Sequence, residues 1–217
     1  FDRTNLILSR AAEVGEFLGL NKEKRIADVV VGAVNNYKRN GTSVNTYQTA
    51  TPWINDQSNP LATYADVDQS EALFLNMTDP NTGEEIVLTA PQFLFSQDKR
   101  TTVASLFGAR EVRLTSGSTE TLAPNPLDGQ GQPAFSRLLK NRIVTQLSVS
   151  APNAAEYWFH GDFAKAFSYQ ENWPITTVQA PRNSYNEFER DIVAEFKASE
   201  KGAAAVIDPR YVVRNKN

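Results

Sequence analysis

The chain has 217 residues, a 41% hydrophobic content, a net charge of −3 and no cysteine. That length suits one large domain or two small ones, with enough apolar material for a sizeable core. Disulfides and thiolate chemistry are excluded, as in a chain made in a reducing cytosol, and the near-neutral charge argues against a general nucleic-acid binder.

No run approaches the roughly eighteen consecutive apolar residues of a membrane span, and no charged-then-apolar leader opens the sequence. The first residue is Phe1, so the expectation is a processed product or a polypeptide lacking its beginning.

From Thr4 to Arg39 the pattern is helical. Ile7, Ala11, Val14 and Leu18 recur at helical spacing, as do Ile26, Val30, Ala33 and Tyr37. Gly19 and Asn21 can divide this stretch into two helices, or it can be one helix with a kink. A continuous version would span roughly 50 Å, with Asn40-Gly41 ending it.

Residues 41–65 read as an irregular connection. Asp66 or Asp68 can cap a short helix reaching Met77. Asp79-Pro80-Asn81-Thr82-Gly83 is a turn signal, after which Glu85 to Phe95 is strand-like. Ser96 can cap a helix over Gln97 to Phe107. Thr115 to Pro133 has little periodicity and predicts an exposed loop, and Arg142 to Val149 reads as a strand. Phe188 to Ala198 fits strand alternation and helical spacing about equally.

The stretch from Trp158 to Asn215 is dense in large side chains and reads as a packing surface. Trp158, Phe159, Phe163, Phe167, Tyr169 and Trp173 could form a base-stacking platform, but Lys165 is the single basic residue among them, which favours core or interface packing. Trp158 and Trp173 are both expected in the core, where alanine would cost about 3–5 kcal/mol.

Catalytic patterns are missing. His160 is the one histidine, and there is no GxSxG elbow to supply a nucleophile; a histidine beside Gly161 at a strand end or turn is expected. Asp66-Val67-Asp68-Gln69-Ser70-Glu71 lacks the glycine and terminal glutamate of a calcium loop, so helix capping is expected. Adjacent Glu84 and Glu85 would point to opposite faces of a strand. Gly129-Gln130-Gly131 and Ser116-Gly117-Ser118 lack the lysine and following helix of a phosphate cradle. No catalytic, cofactor-binding or metal-binding residue is assigned.

The ordered series of features resembles the major capsid proteins of tailed bacteriophages (Caudoviricetes) with the Hong Kong 97-like fold, and is most similar to Mu-like major head subunits. LGLNKEKRIADVVVGAVNNYKRNG resembles the spine helix and its exit, and GTSVNTYQTATPWINDQSNPLA the connection that follows. Thr82-Gly83-Glu84-Glu85-Ile86 leading to Ala90-Pro91-Gln92-Phe93-Leu94-Phe95, with Ala104 and Leu106 on the next helix, resembles the entry to the axial domain. Trp158, Gly161-Asp162, Tyr169, Trp173-Pro174, Phe188-Glu189-Arg190-Asp191 and Asp208-Pro209-Arg210-Tyr211 resemble the return through the peripheral-domain sheet.

The resemblance implies an α+β fold with a long spine helix, a peripheral antiparallel sheet and an axial domain. It places spine and peripheral elements in residues 1–85, the axial domain in 86–150 and returning strands in 151–217. It makes Phe188 to Lys201 strand. It implies a structural, non-enzymatic subunit, assembled in the host cytoplasm as pentamers and hexamers into an icosahedral virion shell around double-stranded DNA. Portal, scaffold and decoration proteins would be partners, contact with DNA would be non-specific, and no membrane or cofactor is involved. An encapsulin-type compartment is the alternative. The N-terminal arm and extended loop of such subunits are expected to be absent or very short before the spine. A lysine–asparagine cross-link is not expected, and Asn215 and Asn217 do not imply one.

Overall fold

The computed structural model describes residues 4–50, 53–79, 81–86, 88, 92–116, 119–127, 134–135, 156–181, 185–190 and 195–216. Helix-favouring Leu, Ala, Glu and Lys carry the first element, α1 (Thr4–Val31), without interruption at Gly19. The helix ends eight residues earlier than its periodicity predicts. Gly32 takes φ +82°, and its N–H donates to the Val29 carbonyl at 3.2 Å, so the chain leaves the helix through a left-handed residue. Asn40-Gly41 is not the stop. With φ of 50° and 80°, these residues turn a small hairpin between β1 (Lys38–Arg39) and β2 (Thr42–Ser43), the geometry Asn-Gly favours.

The chain divides into two compact units: Phe1–Ile26 with Tyr169–Ala204, and Ala27–Ser168 with Ala205–Asn217. The second unit is built on a mixed five-stranded sheet in the order β3 (Asp56–Ser58), β11 (Val212–Lys216), β8 (Trp158–Gly161), β4 (Gln92–Phe95), β7 (Ala134–Phe135). β11 runs parallel to β3 and antiparallel to β8; β4 runs antiparallel to β8 and parallel to β7. All four residues of β8 are buried, as expected of a strand enclosed on both faces.

Two helices supply apolar side chains to this core. On α2 (Tyr64–Leu75), Val67, Ser70 and Phe74 are buried at i, i+3 and i+7. Its N-cap is Thr63, and Asp66 sits in the first turn, where its carboxylate accepts from the Ala62 and Thr63 N–H groups at 2.8 and 2.7 Å. α3 (Arg100–Gly108) follows a 3₁₀ turn (Gln97–Lys99). It places Val103, Leu106 and Phe107 with Leu61, Val67, Phe93, Leu127 and Trp158 in one cluster.

Two further predictions need correction in this unit. Strand structure begins at Gln92 rather than Glu85, which makes an isolated bridge with Thr78 across the turn. The expected loop from Thr115 contains half of a hairpin, β5 (Glu111–Ser116) with β6 (Thr119–Pro124), paired from Glu111↔Pro124 to Ser116↔Thr119. Its threonines suit a strand, and Val112 and Leu114 alternate with polar residues on β5, but β6 (TETLAP) shows no such alternation. Residues 128–133 and the expected strand from Arg142 to Val149 lie outside the described residues. The short helix α4 (Phe163–Ala166) follows β8, with Asp162 as its N-cap.

The other unit holds α1 as far as Ile26 and most of a two-stranded ribbon of β9 (Phe167–Gln179) and β10 (Phe196–Val206). Between the strands lies α5 (Tyr185–Arg190). The strand expected over Phe188 to Lys201 is therefore divided. Phe188 is helical, residues 191–194 lie outside the described residues, and strand begins at Phe196. Glu and Arg favour helix over Tyr185 to Arg190, and Phe196 opens β10 instead of continuing a helical spacing.

Candidate assembly surfaces and a buried polar node

His160 stands on β8, 1% exposed. Its ring stacks on Phe93 at 4.1 Å and meets Phe74 edge-on at 5.4 Å. It is a core aromatic inside the sheet rather than a group open to a substrate. Asp66 is engaged in capping, Asp68 is exposed on α2, and Glu84 and Glu85 are exposed at the turn after Asp79. Gly117, Ser118 and Gly129-Gln130-Gly131 lie outside the described residues. Among the described residues, no group of three or more His, Asp or Glu is placed to hold a metal ion, and no helix is long and apolar enough to cross a membrane.

The polar chemistry of the larger unit is gathered where β3 meets β11. Asp56 accepts from Arg214 Nε and Nη2 at 3.1 and 2.8 Å and from Lys216 Nζ at 2.5 Å. Burial works against the Asp56 carboxylate, but hydrogen bonds and charge from Arg214 and Lys216 outweigh it and hold its pKa below the usual range. Arg214 Nη1 also donates to the Val31 carbonyl at 3.0 Å, and its guanidinium lies 4.4 Å over the Tyr47 ring. Tyr47 in turn donates its hydroxyl to the Val30 carbonyl. These two side chains satisfy carbonyls that the end of α1 leaves without helical partners.

Three buried asparagines close the same region. Asn55 Nδ2 lies within hydrogen-bond reach of the Thr46, Pro209 and Val212 carbonyls at 3.0, 2.8 and 3.1 Å. Asn215 Oδ1 accepts from Gln57 at 2.6 Å and Asn59 at 3.2 Å, and its amide donates to Ser70 at 3.2 Å. The Asn59 carbonyl takes the Trp158 indole N–H at 2.8 Å. The node fastens strands. Sequence reading missed Asn55, Asp56, Asn59 and Arg214, because their partners lie up to 183 residues apart and no local pattern joins them.

The smaller unit is organised differently. Gly15, Gly19, Lys22 and Arg25 line the side of α1 that meets the ribbon. A methyl group on Gly15 would lie 3.5 Å from Thr177 Oγ1, and one on Gly19 would lie 4.0 Å from Ile175 Cδ1. Lys22 Nζ pairs with Glu171 at 2.6 Å, 4.6 Å from the centre of the Tyr169 ring. Arg25 Nη2 reaches both Glu200 oxygens at 2.6 Å, and Tyr169 donates its hydroxyl to the same carboxylate.

Among this unit's described residues none is buried as a whole. Val14, Phe17 and Leu20 are exposed on α1, with Phe17 at 67%, and Trp173 and Val178 are exposed on β9. Trp158 and Trp173, expected to share a core role, are thus separated: Trp158 is fully buried and Trp173 is 56% exposed. Phe17 and Val178 carried no signal, since single apolar residues within a helix or strand pattern predict burial. Val14, Phe17 and Leu20 recur at three-residue spacing on one side of α1, and apolar exposure grouped in this way marks a surface for partners.

No curated protein matches the chain. A family model described as "Phage capsid protein" matches residues 1–215. With α-helices, mixed sheets and a unit that exposes its apolar side chains, the chain belongs to this phage capsid protein family, and its role is that of a structural component of the virion capsid.

Proposed function

We propose that the chain is the major head subunit of a tailed double-stranded DNA bacteriophage with the Hong Kong 97-like fold, assembled as pentamers and hexamers into an icosahedral shell. One observation carries this reading: an entire unit of helix and ribbon has no buried residue among those described, yet exposes Val14, Phe17, Leu20, Trp173 and Val178. Such a unit is completed by its neighbours. Each contact would bury apolar area worth about 25 cal/mol per Å² before association costs, and repetition over a shell would make modest contacts sufficient.

In this reading α1 is the spine and β9–β10 belong to the peripheral domain. Residues 86–150 contribute the axial domain, and residues 151–217 return through both. Assembly would take place in the host cytoplasm, with portal, scaffold and decoration proteins as partners and non-specific contact with packaged DNA. Chemistry in a substrate pocket has no part in it.

Electron microscopy of the purified protein, and of particles from producing cells, tests the proposal. Uniform shells, filled with DNA in the particles, are the expected result. Shells enclosing protein cargo without DNA would assign the fold to a nanocompartment instead, and a monomer that persists at high concentration would overturn the shell reading altogether.

A further inference from the structure

Polar ties from Arg25 on α1 and Tyr169 on β9 converge on one side chain. Glu200 stands on β10 with its side chain 2% exposed, withdrawn from solvent by polar partners rather than by an apolar interior. The titratable and charged groups around it are Arg25 and Lys22 from α1 and Tyr169 from β9, with Glu171 joined through Lys22. Two residues along the same strand face, Gly202 offers its carbonyl to Arg25 Nη1 at 3.3 Å. Gly202 also leaves room for Tyr169: a Cβ there would lie 2.6 Å from Tyr169 Cζ.

We propose that Glu200 is a proton-operated latch, which as a carboxylate fastens α1 and β9 to β10 and on protonation lets the helix leave the ribbon. Arg25 and the Tyr169 hydroxyl both present donors to it. A neutral carboxyl group would turn a proton of its own toward them and lose the ion pair. With no buried apolar residue among those described, the helix is held besides by the Lys22–Glu171 pair and the contacts along Gly15 and Gly19.

The sign follows from the partners. The Tyr169 hydrogen bond first, then Arg25, hold the Glu200 pKa below the usual carboxylate value despite its loss of water. The latch is therefore closed above the unfolded carboxylate pKa and opens as pH falls through the lower folded one. The proposal is independent of shell geometry, because it concerns ties within one chain.

Hydrogen exchange of the full unassembled chain, corrected for intrinsic rates and followed from neutral to acidic pH, tests it. Protection of residues 9–26 and 169–179 should fall as pH drops from the unfolded carboxylate pKa to the lower folded one, by at most about tenfold per pH unit, the slope of one proton, and level off below it, while 158–161 and 212–216 remain protected. In Glu200→Gln the helix should exchange faster than in the parent chain at neutral pH and match it at acidic pH, with no acid step. Tyr169→Phe should move the step to higher pH. Protection at 158–161 reports in the same experiment that each variant is folded. An unchanged acid step in Glu200→Gln, or loss of protection at 158–161 together with the helix, would overturn the latch.

Discussion

The two units of this chain show two ways of holding secondary structure together. In the unit around the five-stranded sheet, Trp158, Val212 and Val213 are wholly enclosed, and Asn55, Asp56, Arg214 and Asn215 are tied to carbonyls or to other side chains. In the helix-and-ribbon unit the ties are ionic or lie along two glycines, and the apolar side chains point outward. The first arrangement is complete within one molecule. The second leaves apolar surface for others to cover, which is the physical difference between a body and a joint.

The comparison breaks first at Trp158. Replacing it with alanine should cost about 3–5 kcal/mol, opening a cavity beside Phe93 and stranding the Asn59 carbonyl; the denaturant midpoint of the monomer measures it. Arg214→Met should follow at about 3 kcal/mol, because Asp56 would stay buried with Lys216 alone. Acid should weaken the same node. Since the Asp56 pKa is lowered in the fold, its contribution is present above the unfolded value and is lost as pH falls through the folded one. Arg214→Met should flatten that part of the stability-against-pH curve.

Glycine substitutions sharpen the contrast, because the sign should reverse between units. Gly32→Ala should cost about 1–2 kcal/mol, since φ is +82° and the added carbon would lie 2.8 Å from the Tyr47 ring. Gly15→Ala and Gly19→Ala, in the helix interior with ordinary contact distances around the new carbon, should each stabilise α1 by about 0.5–1 kcal/mol. Thermal melts and helix exchange rates check both. The smallest expected effect on monomer stability is that of Trp173→Ala, within about 0.5 kcal/mol. If Trp173 is part of a joint, its loss should appear instead as fewer shells under the microscope.

How much of this was legible in the sequence follows the same division. The α2 helix, the turn after Asp79 and the buried place of Trp158 are local matters of capping, turn chemistry and apolar density, and they could be read directly. The end of α1 was misread because Ala33 and Tyr37 continue its spacing, whereas Gly32 terminates it under pressure from Tyr47 and Arg214, one of them 182 positions downstream of Gly32 by number. Trp173 was misread because a large aromatic predicts burial within one chain, and nothing local states that a partner will provide it. The β5–β6 hairpin was missed although Val112 and Leu114 alternate with Glu111, Arg113 and Thr115 on β5, because the six-residue pattern is short and β6 does not repeat it.

The position of β11 has a consequence in time. It lies between β3 and β8, and its Arg214 meets an Asp56 made 158 residues earlier. At about 5–20 residues per second of synthesis, β3 waits roughly 8–32 s for its neighbour. Until then β3 has no link to β8, β4 and β7, and α2 has only part of the surface it packs on. Long-range closure of this kind is slow and comes late. β11 thus acts as a timer, delaying closure of the five-stranded sheet until residues 212–216 have been made.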